Sequence, residues 1–141
     1  MLIMNAISII TRYSKVFFDR KLLPTHVSFS EQLIIMYLIH NRSVNQENIV
    51  KHFMIDKGAI AKTLAHLEQK GLILRIDNPD NRREKLITLT DKAGDTVQFM
   101  TDTWKEWNSC LFDGVSKEDT ETFQRIALKI SENATSAISG M

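Results

Sequence analysis

The sequence predicts a mainly α-helical protein with one small β-hairpin, an α+β class in which helices precede and follow the hairpin. Three observations predict it. Only five Gly and two Pro occur in 141 residues, too few breaking residues for a chain of many short strands. Apolar residues recur at spacings of three and four in the first and fifth segments, the period of one helix face. Between Leu72 and Leu89 the pattern becomes extended, with two apolar runs on either side of turn-forming residues.

The elements follow in order. Ile3, Ile7, Ile10, Ser14 and Phe17 form the narrow apolar seam of a helix over roughly 3–20, ended by Leu22-Leu23-Pro24. Ser28-Phe29-Ser30-Glu31 has capping-box spacing, so Ser28 starts a second helix that runs to about His40 and breaks at Asn41-Arg42-Ser43. Asn45 caps a short third helix near 46–52, with Ile49, Val50 and Phe53 apolar. After a tight turn at Met54-Ile55, Asp56 caps a fourth helix to about Lys70, and Gly71 stands just past its end, where a left-handed residue costs glycine least. Two helices joined by so short a turn are a helix-turn-helix candidate.

Residues 72–76 and 85–89 then read as strands. The segment 77–84 between them, with Pro79 and its Asn/Asp neighbours, reads as a hairpin loop. Arg82 and Arg83 make its tip basic, which is the character of a wing. Thr90 is expected to cap a fifth helix to about Phe112. Its seam of Ala93, Val97, Met100, Trp104, Trp107 and Leu111 is more regular than one buried face requires. Ser116 opens a sixth helix with Phe123, Ile126, Ile130 and Ala134 on one side.

Composition excludes several classes. Hydrophobic residues at 43% and charged residues at 25% are ordinary for a globular chain and leave disorder to the ends. The single Cys110 excludes an intramolecular disulfide and a cysteine-based zinc site. It reads as a small buried residue rather than a redox sensor, because no strongly basic neighbours favour its thiolate. His26, His40, His52 and His66 form no ligand motif, so no metal and no cofactor are expected. No glycine-rich phosphate loop or nucleophile–base pair is visible, and the chain is not expected to be an enzyme. The uncharged stretches are shorter than the ~20 residues a bilayer span needs. No basic segment precedes the apolar start, so the expected location is cytoplasmic.

Charge is unevenly placed. Net charge is +1, yet residues 51–90 hold eight Lys/Arg against five Asp/Glu, while residues 91–141 hold five against nine. A basic middle beside an acidic end fits a nucleic-acid-reading lobe carried by a scaffold.

The segment from Ile55-Asp56-Lys57-Gly58-Ala59-Ile60 to Leu67-Glu68-Gln69-Lys70-Gly71-Leu72-Ile73 resembles the recognition helix and exit of the MarR family of bacterial transcription regulators. Asp80-Asn81-Arg82, followed by Leu86, Leu89 and Thr90, resembles that family's wing signature. These motifs span roughly 45–91; the remainder matches in helix order and length. One departure is Gly58-Ala59, where the family often has Ser or Thr, so this helix begins without those hydroxyls. The resemblance implies one domain over 1–141. Within it, 28–90 would be a winged helix-turn-helix DNA-binding lobe, and the N- and C-terminal helices, 1–22 and 91–141, a dimerisation scaffold.

The fourth helix, taken at about 100° per residue, buries Ile60, Leu64 and Leu67. It turns Gly58, Ala59, Lys62 and His66 the other way, with Thr63 at the border. That outer face fits a major groove. Lys62 would take a guanine edge or a phosphate, Ala59 a thymine methyl, and Lys57 with the helix N-terminus a phosphate. On the wing, Arg82 would reach the minor groove or its phosphates, held by Asp80, with Arg83 and Lys85 on further phosphates. The partners so implied are double-stranded DNA, at a pseudo-palindromic site, and a second copy of the chain. The pairing seam would use Ile3, Ile7 and Ile10; Val97, Met100, Trp104, Trp107 and Leu111; and Phe123, Ile126 and Ile130. A core internal to one chain is the competing reading of that seam. The resemblance also implies a repressor released by a small aromatic or anionic effector. Tyr13, Phe17, Tyr37, Trp104 and Trp107 are candidates for its pocket, and plain core packing competes there too. The alternative function is a winged helix used for protein contact, with its basic face merely solvated.

Overall fold

The computed structural model describes residues 2–141 and contains, among them, six α-helices and one two-stranded antiparallel sheet. In order these are α1 (Leu2–Lys21), a 3₁₀ turn at Leu23–Thr25, α2 (Phe29–His40), α3 (Gln46–Phe53), α4 (Lys57–Gln69), β1 (Ile73–Asn78), β2 (Asn81–Leu89), a second 3₁₀ turn at Asp91–Ala93, α5 (Gly94–Leu111) and α6 (Lys117–Ser139). No described helix is long and apolar enough to cross a membrane.

The helix starts are set by local chemistry. Ser28 Oγ accepts from the Glu31 amide at 3.2 Å while Glu31 Oε2 accepts from the Ser28 amide at 3.2 Å, completing the capping box of α2. Asn45 and Asn48 exchange the same reciprocal pair at the start of α3. Asp56 Oδ2 accepts from the amides of Gly58 and Ala59 at 2.9 and 3.1 Å. At the far end of α4, Gly71 has φ of 71°, the left-handed conformation that ends a helix without steric cost.

The chain forms two compact units, one ending at Trp104 and the other Lys105–Met141. The first holds the whole of the lobe expected over 28–90, together with α1. Its core joins Phe18 and Leu22 of the N-terminal segment to Ile34, Ile35 and Leu38 of α2, Ile49 of α3, Ile60, Leu64 and Leu67 of α4, and Ile73 and Ile87 of the hairpin. In the second unit Phe112 meets Phe123 edge-on at 5.9 Å, and α6 has no buried residue along its length.

Four expectations need correction. The hairpin loop is not the eight-residue segment 77–84. Asn78 Oδ1 accepts from the Asp80 amide at 3.0 Å, a local side-chain turn that reverses the chain at Pro79-Asp80 and places Arg82 and Arg83 in β2. Thr90 does not cap α5. Its hydroxyl donates to the Gly71 carbonyl at 2.5 Å, and a 3₁₀ turn intervenes before Gly94. Cys110 is exposed rather than buried. Met100, assigned to the pairing seam, is fully enclosed within one chain, because α5 turns it into the core of the first unit.

Candidate nucleic-acid interface

Two sharp features organise the lobe. Met54 takes φ of 53°, a left-handed conformation that a non-glycine residue adopts at a cost of roughly 1–2 kcal/mol. It allows α4 to start soon after α3 has ended. Val44, just before α3, forms an isolated bridge with Ile87 of β2, the Ile87 amide donating to the Val44 carbonyl at 2.7 Å. The hairpin is thereby tied to the entrance of α3.

α4 divides as its period predicts. Ile60, Leu64 and Leu67 are buried, whereas Lys57, Gly58, Ala59, Lys62 and His66 lie outside the core, and Thr63 borders them. The Thr63 hydroxyl donates to the Ala59 carbonyl at 3.0 Å, so its proton is already committed. His66 leans toward α2, its Nδ1 lying 3.8 Å from Glu31 Oε1. Glu31 is itself buried and accepts from Lys70 Nζ at 2.6 Å, an ion pair that fastens the exit of α4 to the start of α2. Gly58 has a local explanation: a Cβ there would lie 2.9 Å from Asp56 Oδ2, against the carboxylate that caps the helix.

Asp80, Arg82, Arg83 and Lys85 are all available to solvent on the hairpin. Among the described residues no ion pair joins Asp80 to Arg82; Lys85 pairs instead with Asp77 across the strands. An open groove of about 560 Å³ lies between the hairpin, α3 and the start of α4. Lys57, Arg83 and Lys85, expected from separate stretches of sequence, meet there with Arg75. Arg75 is a cation that reading the sequence missed, and it is steered by Glu68 at 3.3 Å and Gln46 at 3.4 Å. Its signal was present: it is the one charged residue within the apolar run 72–76. Asn45, Gln46, Glu47 and Glu84 add polar groups to the lining. The hydrogen bond and charge of Lys51, 2.9 Å away, hold the Glu47 carboxyl below its ordinary range.

The five aromatics expected at an effector pocket have different surroundings. Phe17 and Trp104 both pack on Phe18, with ring centroids 5.3 and 4.4 Å away. Tyr37 stacks on His52 at 4.5 Å and meets Phe53 at 5.8 Å. Tyr13 is exposed, and Trp107 lies in the second unit, half-buried. Of the pairing seam, Val97, Trp104 and Leu111 are half-buried in the single chain, while Ile3, Ile7, Ile10, Phe123, Ile126 and Ile130 are exposed. No group of three or more His, Cys, Asp or Glu among the described residues is arranged to hold a metal ion.

Comparison with known proteins matches this geometry. Residues 30–85, which contain most of α2, all of α3 and α4, and most of the hairpin, match the sequence model of the MarR family. The uncharacterised HTH-type transcriptional regulator YwhA of Bacillus subtilis is 26% identical over 114 residues, covering 81% of this chain and 82% of its own. A MarR transcriptional regulator from Methanosarcina mazei superposes with a TM-score of 0.87 at 24% identity, over 96% of this chain and 98% of its own. A putative MarR family regulator from Listeria monocytogenes, solved in complex with a 26mer DNA, superposes with a TM-score of 0.88 at 19% identity, over 95% and 89% of the two chains. Residues 30–85 thus match the MarR family model, and the chain as a whole has the winged helix-turn-helix fold of the solved MarR-family structures.

Proposed function

We propose that this chain is a double-stranded-DNA-binding transcription regulator, a non-catalytic cytoplasmic repressor that acts as a homodimer on a pseudo-palindromic site. One observation carries the reading: the exposed polar face of α4 and the hairpin cations share one lobe, and Lys57, Arg75, Arg83 and Lys85 line a single groove in it. A helix face fits the major groove, and cations beside it supply phosphate contacts that set register without reading sequence. The Listeria structure solved with DNA belongs to a protein of the same fold. In this reading Lys62, Ala59 and His66 face base edges, while Lys57, Arg82, Arg83 and Lys85 take phosphates.

Pairing is supported by the apolar residues left in solvent. Ile3, Ile7 and Ile10 on α1, and Phe123, Ile126 and Ile130 on α6, are each 40% exposed or more. So many large apolar side chains on the helical ends mark surface meant for protein contact. A two-fold pair presents its reading helices about 34 Å apart, one DNA turn, which predicts the symmetric site.

Release by a small aromatic or anionic effector belongs to the same proposal. What supports it is a set of buried polar groups that find no hydrogen-bond partner among the described residues: both amide atoms of Gln32, fully enclosed in α2, and the indole Nε1 of Trp104. A buried polar atom without a partner is costly, and a polar ligand able to reach it would supply the missing hydrogen bond.

The test is a salt titration of duplex-DNA binding. Contact with several phosphates should make log K fall linearly with log salt, with a slope of about −0.9 per phosphate neutralised. A module built for protein contact would show no such slope and no affinity for the duplex.

A further inference from the structure

One acidic side chain stands where a DNA-binding groove would be better without it. Glu84 lines the groove beside Arg83 and Lys85, and its charge opposes the phosphates those cations would attract. It is half-buried, which adds a desolvation cost to an ionised carboxylate.

The hairpin register explains its place. The ladder is regular from Ile73↔Leu89 to Asp77↔Lys85, then jumps to Asn78↔Asn81. A single step on β1 thus faces several on β2, and Arg82, Arg83 and Glu84 have no cross-strand partner in the ladder. A bulged stretch lacks the ladder bonds that ordinarily fix side-chain direction. Glu84 supplies the missing anchor. One carboxylate oxygen accepts from Asn45 Nδ2, and the other accepts from Asn78 Nδ2 at 2.6 Å. Asn45 is the cap of α3, and its Oδ1 already accepts from the Asn48 amide at 2.8 Å. Its NH₂ is therefore left to face the hairpin. The Glu84 carboxylate thus joins the entrance of α3 to the hairpin at the step that carries the two arginines.

We propose that Glu84 is a positioning residue for DNA binding: through Asn45 and Asn78 it holds the bulged step of the hairpin against α3 and so aims Arg82 and Arg83 at the duplex. This rests on the DNA-binding reading above.

The experiment measures binding of the full-length protein to labelled mixed-sequence duplex DNA over a range of salt, with thermal melting alongside. Simple charge addition predicts that Glu84→Ala, which removes an anion from the groove, binds DNA more tightly. Positioning predicts the opposite sign: affinity falls about tenfold, and the salt slope becomes shallower by about 0.9 for each phosphate that is no longer neutralised. Asn45→Asp keeps the oxygen that caps α3 but sets a second carboxylate against Glu84, and should reproduce the weaker binding with little change in melting temperature. Combining Asn45→Asp with Glu84→Gln restores a donor–acceptor pair in reversed sense and should recover the slope. Tighter binding by Glu84→Ala, or a double variant no better than Asn45→Asp, overturns the proposal. Absence of DNA binding by the unaltered protein would remove the functional reading itself, a different result from failure of the variants.

Discussion

α4 and α6 both carry an apolar stripe at helical spacing, yet the chain uses them in opposite ways. α4 turns Ile60, Leu64 and Leu67 into the core of the first unit and leaves its polar side in solvent. α6 buries nothing, and its apolar side, with Phe123 51% exposed and Ile126 and Ile130 each 45% exposed, stands in solvent. The difference teaches where the next partner must attach. A helix whose apolar face is satisfied within its own chain can offer its polar face to a polyanion. A helix whose apolar face is unsatisfied asks for protein.

The contrast can be broken most forcefully at its buried end. Leu64→Ala removes a fully enclosed side chain and should cost about 2–5 kcal/mol, lowering the melting temperature at every protein concentration. A change within experimental scatter would mean that α4 is not packed as described. Next in size, Ile130→Asp should weaken self-association about a hundredfold, roughly 2.7 kcal/mol, seen by sedimentation as a shift to monomer at micromolar concentration. A dimer of unaltered strength would free α6 for some other partner. Trp104 is unsuitable for that purpose, since its packing on Phe18 makes its removal a core defect.

On the solvent side of α4 the effects should appear in DNA binding and not in melting. Lys62→Ala should reduce discrimination by about 1–3 kcal/mol at one base of each half-site, measured by competition between duplexes. An equal weakening on every sequence would reassign Lys62 to a phosphate. Smallest is Arg82→Ala, which should weaken binding to all duplexes alike and make the salt slope shallower by about 0.9. A sequence-dependent effect would move Arg82 from the backbone to a base edge.

Much of this was legible in the residues. Ser28, Asn45, Asp56 and Ser116 cap the helices they were expected to cap, because a side-chain oxygen two or three residues before free amides is a local arrangement. The buried face of α4 follows from a helical period of about 3.6 residues in the same way. What failed involved competition between neighbours. Thr90 carries the chemistry of a helix cap, but the Gly71 carbonyl, distant in sequence, captures its hydroxyl. Segment 77–84 has loop composition, yet the Asn78 side chain closes the turn early and Glu84 finds Asn45 across the lobe. Nor does composition distinguish Arg75 from a solvated strand residue; only folding brings it beside Lys57.

Helix starts, the period of each face and the change from helix to strand are encoded in short stretches, since their causes reach only a few residues along the backbone. Which apolar seam closes upon its own chain is another matter. Met100 and Ile130 sit in equally regular patterns, one sealed and one open to solvent, because burial depends on what long-range packing sets opposite each face.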